Sequence, residues 1–286
     1  MSIQVITDST AYLPETLVKK YAIQVIPLSV HFGETVFQED VISHHDFYQR
    51  MKADPIWPTS SQPPVEGFVK SFEACIQKGW AVLGIFISSD MSGTYQSALL
   101  ASRIVREKYP QAQIKLIDSR TNCMQMGFAA LEAARGIADG LSLDTVHHQA
   151  AGFIRKSRFI FAPKTLDHLK KGGRIGAASA FLGSMLRIVP LLTVENGKTA
   201  VLHKVRTQKK ALQAMTHLLL DDFSKFGKGN VAVHHINDET AGTELASVLE
   251  KEINQEVPVV PIGPVIGLHV GPGTVGIAYH TLKDRL

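Results

Sequence analysis

The sequence is poor in the residue types that mark several large classes of protein. Only two cysteines occur in 286 residues, Cys75 and Cys123, and neither has a cysteine or histidine at metal-ligand spacing. This pattern argues against a disulfide framework and a zinc site, and favours two small core residues. The longest apolar runs, such as residues 81–87, are far shorter than the roughly 20 residues that cross a bilayer. The first residues lack a secretory pattern, so a cytoplasmic location is expected.

The chain also lacks a large excess of positive or negative charge. The 30 lysines and arginines are mixed with 26 acidic residues, which leaves a net charge of +4. The densest basic group is small and consists of Lys204, Arg206, Lys209 and Lys210. The sequence pI of about 9.0 is the only feature that favours a DNA-associated regulatory protein. Because the basic residues are scattered among acidic ones, no nucleic-acid partner is expected.

The first half of the chain alternates strand-like and helix-like segments, which is typical of a doubly wound parallel sheet. The sequence predicts strands at 3–6, 23–30, 81–87 and 114–117, and helices at 45–51, 64–78, 93–108, 127–138 and 142–156. The segment 81–87 has no polar alternation, which indicates a central strand covered on both faces. Ligands of such sheets bind beyond the carboxyl ends of the strands, so the loops at Thr7, Ser88 and Asp118 are expected to meet in one crevice.

The second half mixes shorter strands with helices, which is typical of an α+β domain with a mixed sheet. The sequence predicts strands at 159–162, 188–194, 201–205, 231–235, 257–261 and 275–279, and helices at 165–171, 208–226 and 239–252. The expected fold class is therefore α/β with two lobes. We place an N-terminal α/β domain at residues 1–157 and a C-terminal α+β domain at residues 158–286.

Two polar loops contain the first candidate ligand-binding residues. Ser60 and Ser61 lie between prolines, which keep their segment extended and leave the hydroxyl groups free. Ser92, Gly93 and Thr94 follow a buried strand and precede a helix, where glycine allows close backbone approach and an anion is favoured. The structural alternatives are a rigid connector for the first loop and a simple helix cap for the second.

Three further residues are candidate contacts for an anionic group. Arg174 lies in a glycine-rich segment after a predicted helix, although its spacing is not that of a phosphate-binding P-loop. Arg206 follows a predicted strand, and its alternative interpretation is a solvated surface residue. His269 lies in the glycine- and proline-rich segment 264–273, which is predicted to be a tight loop, and its imidazole can donate to a carboxylate. No metal motif and no cofactor motif is found.

With these residues in order, the chain resembles the DegV family of bacterial fatty-acid-binding proteins over nearly its whole length. The resemblance is carried by TDST at 7–10, IPL at 26–28, TSSQP at 59–63, ISS at 87–89, SGTYQSA at 92–98, DS at 118–119, KGGR at 171–174, RT at 206–207 and the segment 267–273. In that family two α/β lobes enclose a fatty acid. The resemblance therefore implies a lipid site between the two predicted domains.

The resemblance also implies roles for individual residues. The family holds the carboxylate through a hydroxyl residue, a serine and a histidine, which match Ser60, Ser92 and His269. Ser60 stands where the family often has threonine. Arg174 and Arg206 match basic residues used near the head group or toward a partner.

The same resemblance implies a carrier and not an enzyme. A separate ATP-binding fatty acid kinase would phosphorylate the bound carboxylate, and this protein would retain the acyl phosphate. The pair would serve phospholipid metabolism, with transient membrane contact. The length and unsaturation of the fatty acid depend on the tunnel, for which candidate lining side chains are Phe159, Phe161, Phe181 and Ile266.

A serine acyl hydrolase is the alternative that uses the same residues. In that hypothesis Ser92 is the nucleophile and His269 is its base. The sequence lacks the Gly-x-Ser-x-Gly elbow that places such a serine at a sharp turn. The carrier therefore remains the preferred hypothesis.

Overall fold

The computed structural model describes residues 2–181 and 188–285. The strands of its first half are β1 (Ile3–Asp8), β2 (Gln24–Ile26), β3 (Ser29–Phe32), β4 (Thr35–Gln38), β5 (Thr59–Ser61), β6 (Ala81–Phe86) and β7 (Ile114–Asp118). The helices there are α1 (Glu15–Lys20), α2 (His44–Ala53), α3 (Val65–Ile76), α4 (Thr94–Lys108), α5 (Cys123–Ala138) and α6 (Leu143–Lys156). The alternation of strands and helices follows the sequence prediction.

A parallel sheet forms the centre of this half. Its strand order is β2-β1-β6-β7, and all three pairings are parallel. Every residue of β6 is buried, as its unbroken apolar sequence predicts. Helices α3 and α4 pack on one face through Phe68, Phe72 and Ala98, and α5 and α6 cover the other face. The predicted doubly wound arrangement is confirmed.

The second half contains a mixed sheet covered by two long helices. Its strands are β8 (Ser157–Ala162), β9 (Val189–Glu195), β10 (Lys198–Val205), β11 (Lys228–His235), β12 (Val259–Pro261) and β13 (Val275–Thr281). Its helices are α7 (Asp167–Lys171), α8 (Gln208–Phe226), α9 (Glu239–Ile253) and α10 (Pro264–Val270). The strand order is β10-β9-β8-β13-β11-β12, and only the β11–β12 pairing is parallel. The predicted α+β character is confirmed, while the domain boundary at 157/158 stays a prediction.

Helix α5 joins the two sheets, because it packs against β1 and β6 on one side and β8 and β13 on the other. Small side chains make this close approach possible: Ala129, Ala130, Ala133 and Ala134 are all buried. A single apolar core consequently extends from the parallel sheet through α5 to the mixed sheet.

The single strand predicted at residues 23–30 is wrong. The chain forms β2 in the parallel sheet and then β3 in a separate antiparallel sheet of order β4-β3-β5. Pro27 lies between them, and proline cannot donate a hydrogen bond to a sheet ladder. The small sheet also contains Ser60, which pairs with Val30.

The tight loop predicted at residues 264–273 is wrong in its first part, where helix α10 forms. Pro264 occupies the first helical turn, where its fixed φ is already suitable and its missing N–H costs nothing. The backbone N–H groups of Val265 and Ile266 donate to the side chains of Glu39 and Tyr12, which are remote in sequence. His269 therefore lies on a helix that is held by the first half of the chain.

The carboxyl ends of the parallel strands converge, as predicted. Asp8 Oδ2 accepts the Ile87 N–H at 2.8 Å, and Asp118 Oδ1 accepts the Ser89 N–H at 3.1 Å. The turn between β9 and β10 enters this crevice, where Ser88 Oγ donates to the Gly197 carbonyl at 2.8 Å. Part of the crevice is therefore filled by the second lobe.

Gly267→Ala is expected to destabilise the fold, although alanine favours helix. A Cβ at Gly267 would lie 1.8 Å from Tyr48 Oη, so the buried ring must move. We expect a loss of about 1–3 kcal/mol in the free energy of unfolding, measured with urea. Tyr48→Phe is the matched second variant, because it removes a hydroxyl that has no partner within the described part of the chain. Failure of Tyr48→Phe to rescue Gly267→Ala would contradict this account.

Candidate functional site

A narrow cavity lies where the two lobes meet. It comprises about 750 Å³ of space free of protein atoms, part of it open to solvent, and little of this space is wide enough to hold a water molecule. Most of its lining is apolar, and includes Leu28, Ile87, Phe159, Phe161, Leu169, Val194, Ile236, Ile262, Val265, Ile266 and Val270. Three of the four predicted tunnel residues are in this set, whereas Phe181 is not among the described lining residues. The shape suits a thin apolar ligand better than a bulky one.

The polar residues of the cavity are fewer than the apolar ones. They come from both lobes and comprise Ser60, Ser61, Gln62, Ser92, Asn122, Arg174, Thr199, His269 and Thr274. Five of the eight residues predicted from the sequence therefore line one cavity: Ser60, Ser61, Ser92, Arg174 and His269. Gly93, Thr94 and Arg206 do not appear in its described lining.

Ser60 and His269 form a direct contact between the lobes. Ser60 Oγ lies 2.9 Å from His269 Nε2. Burial, with a smaller contribution from the charge of Arg174, lowers the pKa of His269 to about 4. The imidazole of the ligand-free protein is therefore neutral at pH 7, and one of its nitrogens carries no proton.

The ring of His269 packs closely against Gly172. A Cβ at Gly172 would lie 2.1 Å from His269 Nδ1, so any side chain there would displace the ring. Nδ1 is buried and has no hydrogen-bond partner within residues 2–181 and 188–285. The glycine of the KGGR motif thus allows the imidazole to reach Ser60.

Ser92 lines the cavity at the start of α4. Its Oγ accepts the Thr94 N–H at 3.3 Å and lies 2.8 Å from Thr94 Oγ1. Thr94 is fully buried behind it, and Gly93 packs against the side chain of Gln62. Ser92 therefore contacts the first residue of α4 and also lines the cavity, while Gly93 and Thr94 support it from behind.

The two arginines are placed differently. Arg174 lines the cavity and donates through Nε to the Met91 carbonyl at 3.1 Å and through Nη1 to the Gly172 carbonyl at 2.7 Å. Arg206 follows the last residue of β10, whereas Thr199, near the first, lines the cavity. Seven extended residues span about 20 Å, so Arg206 lies well away from Thr199, and it is not among the described lining residues.

Asn122 is a cavity residue that sequence reasoning missed. It is 6% exposed, and its Oδ1 is buried without a partner in the described ranges. Its Nδ2 lies 3.3 Å from Met91 Sδ. The rule that ligands bind beyond strand ends could have found it, because it lies four residues beyond the end of β7.

The geometry does not form the Ser92–His269 pair of the hydrolase hypothesis. His269 Nε2 contacts Ser60, while Ser92 contacts Thr94. Nor does a carboxylate orient Nδ1 among the residues that the structure describes. A Ser–His pair without that third group lacks the usual means of fixing the imidazole tautomer.

The described residues contain neither a metal-binding cluster nor a membrane-spanning helix. No group of three or more histidine, cysteine, aspartate or glutamate side chains there is arranged to hold a metal ion. No helix there has the length and apolar character needed to span a membrane.

Comparison with known proteins identifies relatives over nearly the full length. A family profile described as "Uncharacterised protein, DegV family" matches residues 2–282. A DegV domain-containing protein of Clostridium acetobutylicum is 48% identical over 284 residues, with 99% of each chain covered. The crystal structure of DegV from Bacillus subtilis, described as a fatty acid binding protein, has a TM-score of 0.89 and 34% identity, covering 98% of this chain and 99% of that one. A stearic acid-binding protein from Eubacterium ventriosum also has a TM-score of 0.89, with 29% identity and 99% of each chain covered.

His269→Gln is expected to flatten the pH dependence of stability in the ligand-free protein. Because the pKa of His269 is lowered to about 4, the unfolded chain, with a pKa of about 6.5, takes up a proton that the folded chain does not, so stability falls as the pH drops from about 6.5 toward 4. Between pH 7 and 4 the wild type should lose about 2–3 kcal/mol more than the variant, measured by denaturant unfolding. Buried His234, whose pKa is also lowered to about 4, contributes equally to the pH dependence of the wild type and of the variant. Parallel pH curves would refute the assignment.

Proposed function

The chain belongs to the DegV family, and from this premise we propose that it is a carrier that holds a long-chain fatty acid in the cavity between its lobes. The observation that carries the proposal is the cavity itself, which is narrow, mostly apolar and has polar groups from both lobes. The related structures described as fatty-acid-binding proteins support the same ligand class.

The apolar lining is suited to supply most of the affinity. A chain of about 15 methylenes gains roughly 12 kcal/mol on burial, at about 0.8 kcal/mol each, before the entropy costs of binding. The polar groups then fix which end of the ligand faces Ser60 and Ser92. A buried carboxylate without such partners would carry a large penalty.

The Ser60–His269 pair suits a carboxylate when the imidazole proton is on Nε2. In that tautomer Nε2–H donates to Ser60 Oγ, which frees the hydroxyl proton to donate to the ligand. Ser92 Oγ–H is a second donor to the carboxylate, and the cationic Arg174 is close enough to the pocket to balance its charge. Ser61 and Asn122 complete the polar end of the cavity.

We extend the proposal to a phosphoryl-transfer step performed by a partner. A separate ATP-binding kinase would phosphorylate the carboxylate, and this protein would retain the acyl phosphate for phospholipid metabolism in the cytoplasm. Arg174 supports this step because a guanidinium has five N–H donors and its two described bonds leave others for phosphate oxygens. Arg206, outside the cavity lining, is assigned to the partner or to transient membrane contact.

The protein itself is proposed to perform no catalysis. The Ser92–His269 pair required by the hydrolase hypothesis is not formed, and the imidazole lacks an orienting carboxylate among the described residues. A hydrolase would also destroy the acyl compound that a carrier must preserve. Failure of a serine-directed fluorophosphonate to label Ser92 would support the carrier.

The purified protein is expected to contain a stoichiometric long-chain fatty acid, measured by native mass spectrometry and by mass spectrometry of an organic extract. Ser92→Ala and His269→Ala should each weaken fatty-acid retention roughly tenfold or more, since the first removes a donor to the buried carboxylate and the second removes the imidazole that orients the Ser60 donor. Both variants should still fold.

Ser247→Ala is the matched control, because Ser247 is exposed on α9 and is not among the described lining residues of the cavity. An empty protein that also fails to take up oleate or palmitate would overturn the proposal. Unchanged retention in both site variants would overturn the head-group assignment alone.

Arg174→Gln is expected to separate the two ligands of the proposed cycle. A phosphorylated head group carries more negative charge than a carboxylate, so loss of the guanidinium should weaken its binding more. We expect at least a severalfold larger loss of affinity for a non-hydrolysable acyl phosphonate than for the fatty acid, measured by calorimetry. Equal losses for both ligands would remove Arg174 from the phosphate site.

A further inference from the structure

Glu39 reaches from the first lobe to the helix that carries His269. It lies one residue beyond β4 and is only 5% exposed. Its Oε1 accepts the Val265 N–H and the Tyr12 hydroxyl, both at 2.8 Å, and its Oε2 accepts the Ser9 hydroxyl at 2.5 Å. Three donors from two lobes therefore converge on one buried carboxyl group.

Tyr12 binds the next residue of α10. Its Oη accepts the Ile266 N–H at 3.2 Å. Tyr12 has a φ of 46°, a left-handed conformation that is costly for a residue other than glycine. Gly263 packs so closely that a Cβ there would lie 2.6 Å from Glu39 Oε1. The contact is thus closely packed and is maintained despite backbone strain.

The consequence for the cavity follows from helix geometry. The first N–H groups of a helix have no partner within it, and here Glu39 and Tyr12 provide one each. His269 lies about one turn later on the same short helix, between Ser60 and Gly172. Gly172 leaves no free space beside the ring, so a shift of the helix start is transmitted to the contact with Ser60.

We infer that Glu39 is a positioning residue for the head-group site: it holds α10, and through it His269, at hydrogen-bond distance from Ser60. No sequence motif assigned to the lipid site includes Glu39. The inference rests on the proposed function for its ligand, whereas the geometry of His269 can be measured without any ligand.

The surroundings of Glu39 make its hold on α10 depend on pH. The titratable and polar groups that face it are Asp8, Ser9, Tyr12, Tyr48, Cys123 and the Val265 N–H. None of these groups is a cation. Burial, with the nearby Asp8 carboxyl, raises the pKa of Glu39 to about 7 against the lowering effect of its hydrogen bonds. An ionised carboxylate accepts all three donors at once, whereas a protonated one must donate its own proton to one of them.

Glu39→Gln tests the inference, because glutamine keeps the size and an acceptor oxygen but does not titrate. We expect the ratio of the dissociation constants for oleate, variant over wild type, to be about 1 at pH 5.5 and roughly three- to tenfold at pH 8.5. Using the ratio cancels the titration of the fatty acid itself. A structural role without positioning would give a ratio that does not change with pH, and that result would overturn the inference.

A second measurement requires no ligand. The imidazole nitrogen shifts of His269, recorded by NMR in the delipidated protein, should change with pH near 7 in the wild type and not in Glu39→Gln. Tyr12→Phe should shift the same signals at every pH. Glu34→Gln is the matched control, since Glu34 is exposed in the same β3–β4 hairpin.

The two measurements separate the two claims. If the wild type binds no fatty acid but the His269 signals respond to Glu39, the proposed function fails and the inference stands. If oleate binds and neither the affinity ratio nor the His269 signals respond, the inference fails and the proposed function stands.

Discussion

The structure depends on the burial of one helix, α5, between two sheets of different construction. The helix can approach both because alanines replace larger side chains on its packing faces. Its start is held by the second lobe, where His234 Nε2 accepts the Met124 N–H at 3.1 Å and His234 Nδ1 contacts the Val260 carbonyl at 2.9 Å. Cys123, the first helical residue, has a φ of 51°, so the chain enters the helix through a strained turn. The cavity opens beside this turn, with Asn122 in its wall.

Two buried polar networks flank that cavity and serve different ends. Around Glu39, three donors meet one carboxyl group and fix backbone positions. In the cavity, Nδ1 of His269 and Oδ1 of Asn122 have no partners among the described residues. Unsatisfied buried polar atoms cost about 1–3 kcal/mol each, so the saturated network around Glu39 stabilises the fold, whereas the two unpaired atoms in the cavity wall do not.

Much of the fold could be predicted from local patterns, because the burial of β6 and the helical spacing of α3, α4 and α8 follow from the order of apolar and polar residues within each segment. Prediction failed where long-range contacts decide. Pro27 ends one strand, but only the pairing of Ser60 with Val30 shows that the next belongs to another sheet. Similarly, glycines and prolines suggested a loop around His269, whereas the side chain of Glu39, about 226 residues away in sequence, supports a helix there. Ser60, Ser92 and His269 were found as candidates because each stands in a short distinctive motif; Asn122 and Glu39 have none.

The state of His269 bears on the choice between carrier and hydrolase. A general base works best when its pKa is near the working pH, but burial and the charge of Arg174 lower the pKa of this imidazole to about 4. An imidazole with so low a pKa is a weak base toward Ser60, although it can still donate a hydrogen bond from its protonated nitrogen. A bound carboxylate would raise that pKa by attraction of opposite charges, which means that the histidine and the anion stabilise each other. Such mutual stabilisation favours retention of the ligand over attack on it, and it requires the imidazole to stay where α10 places it.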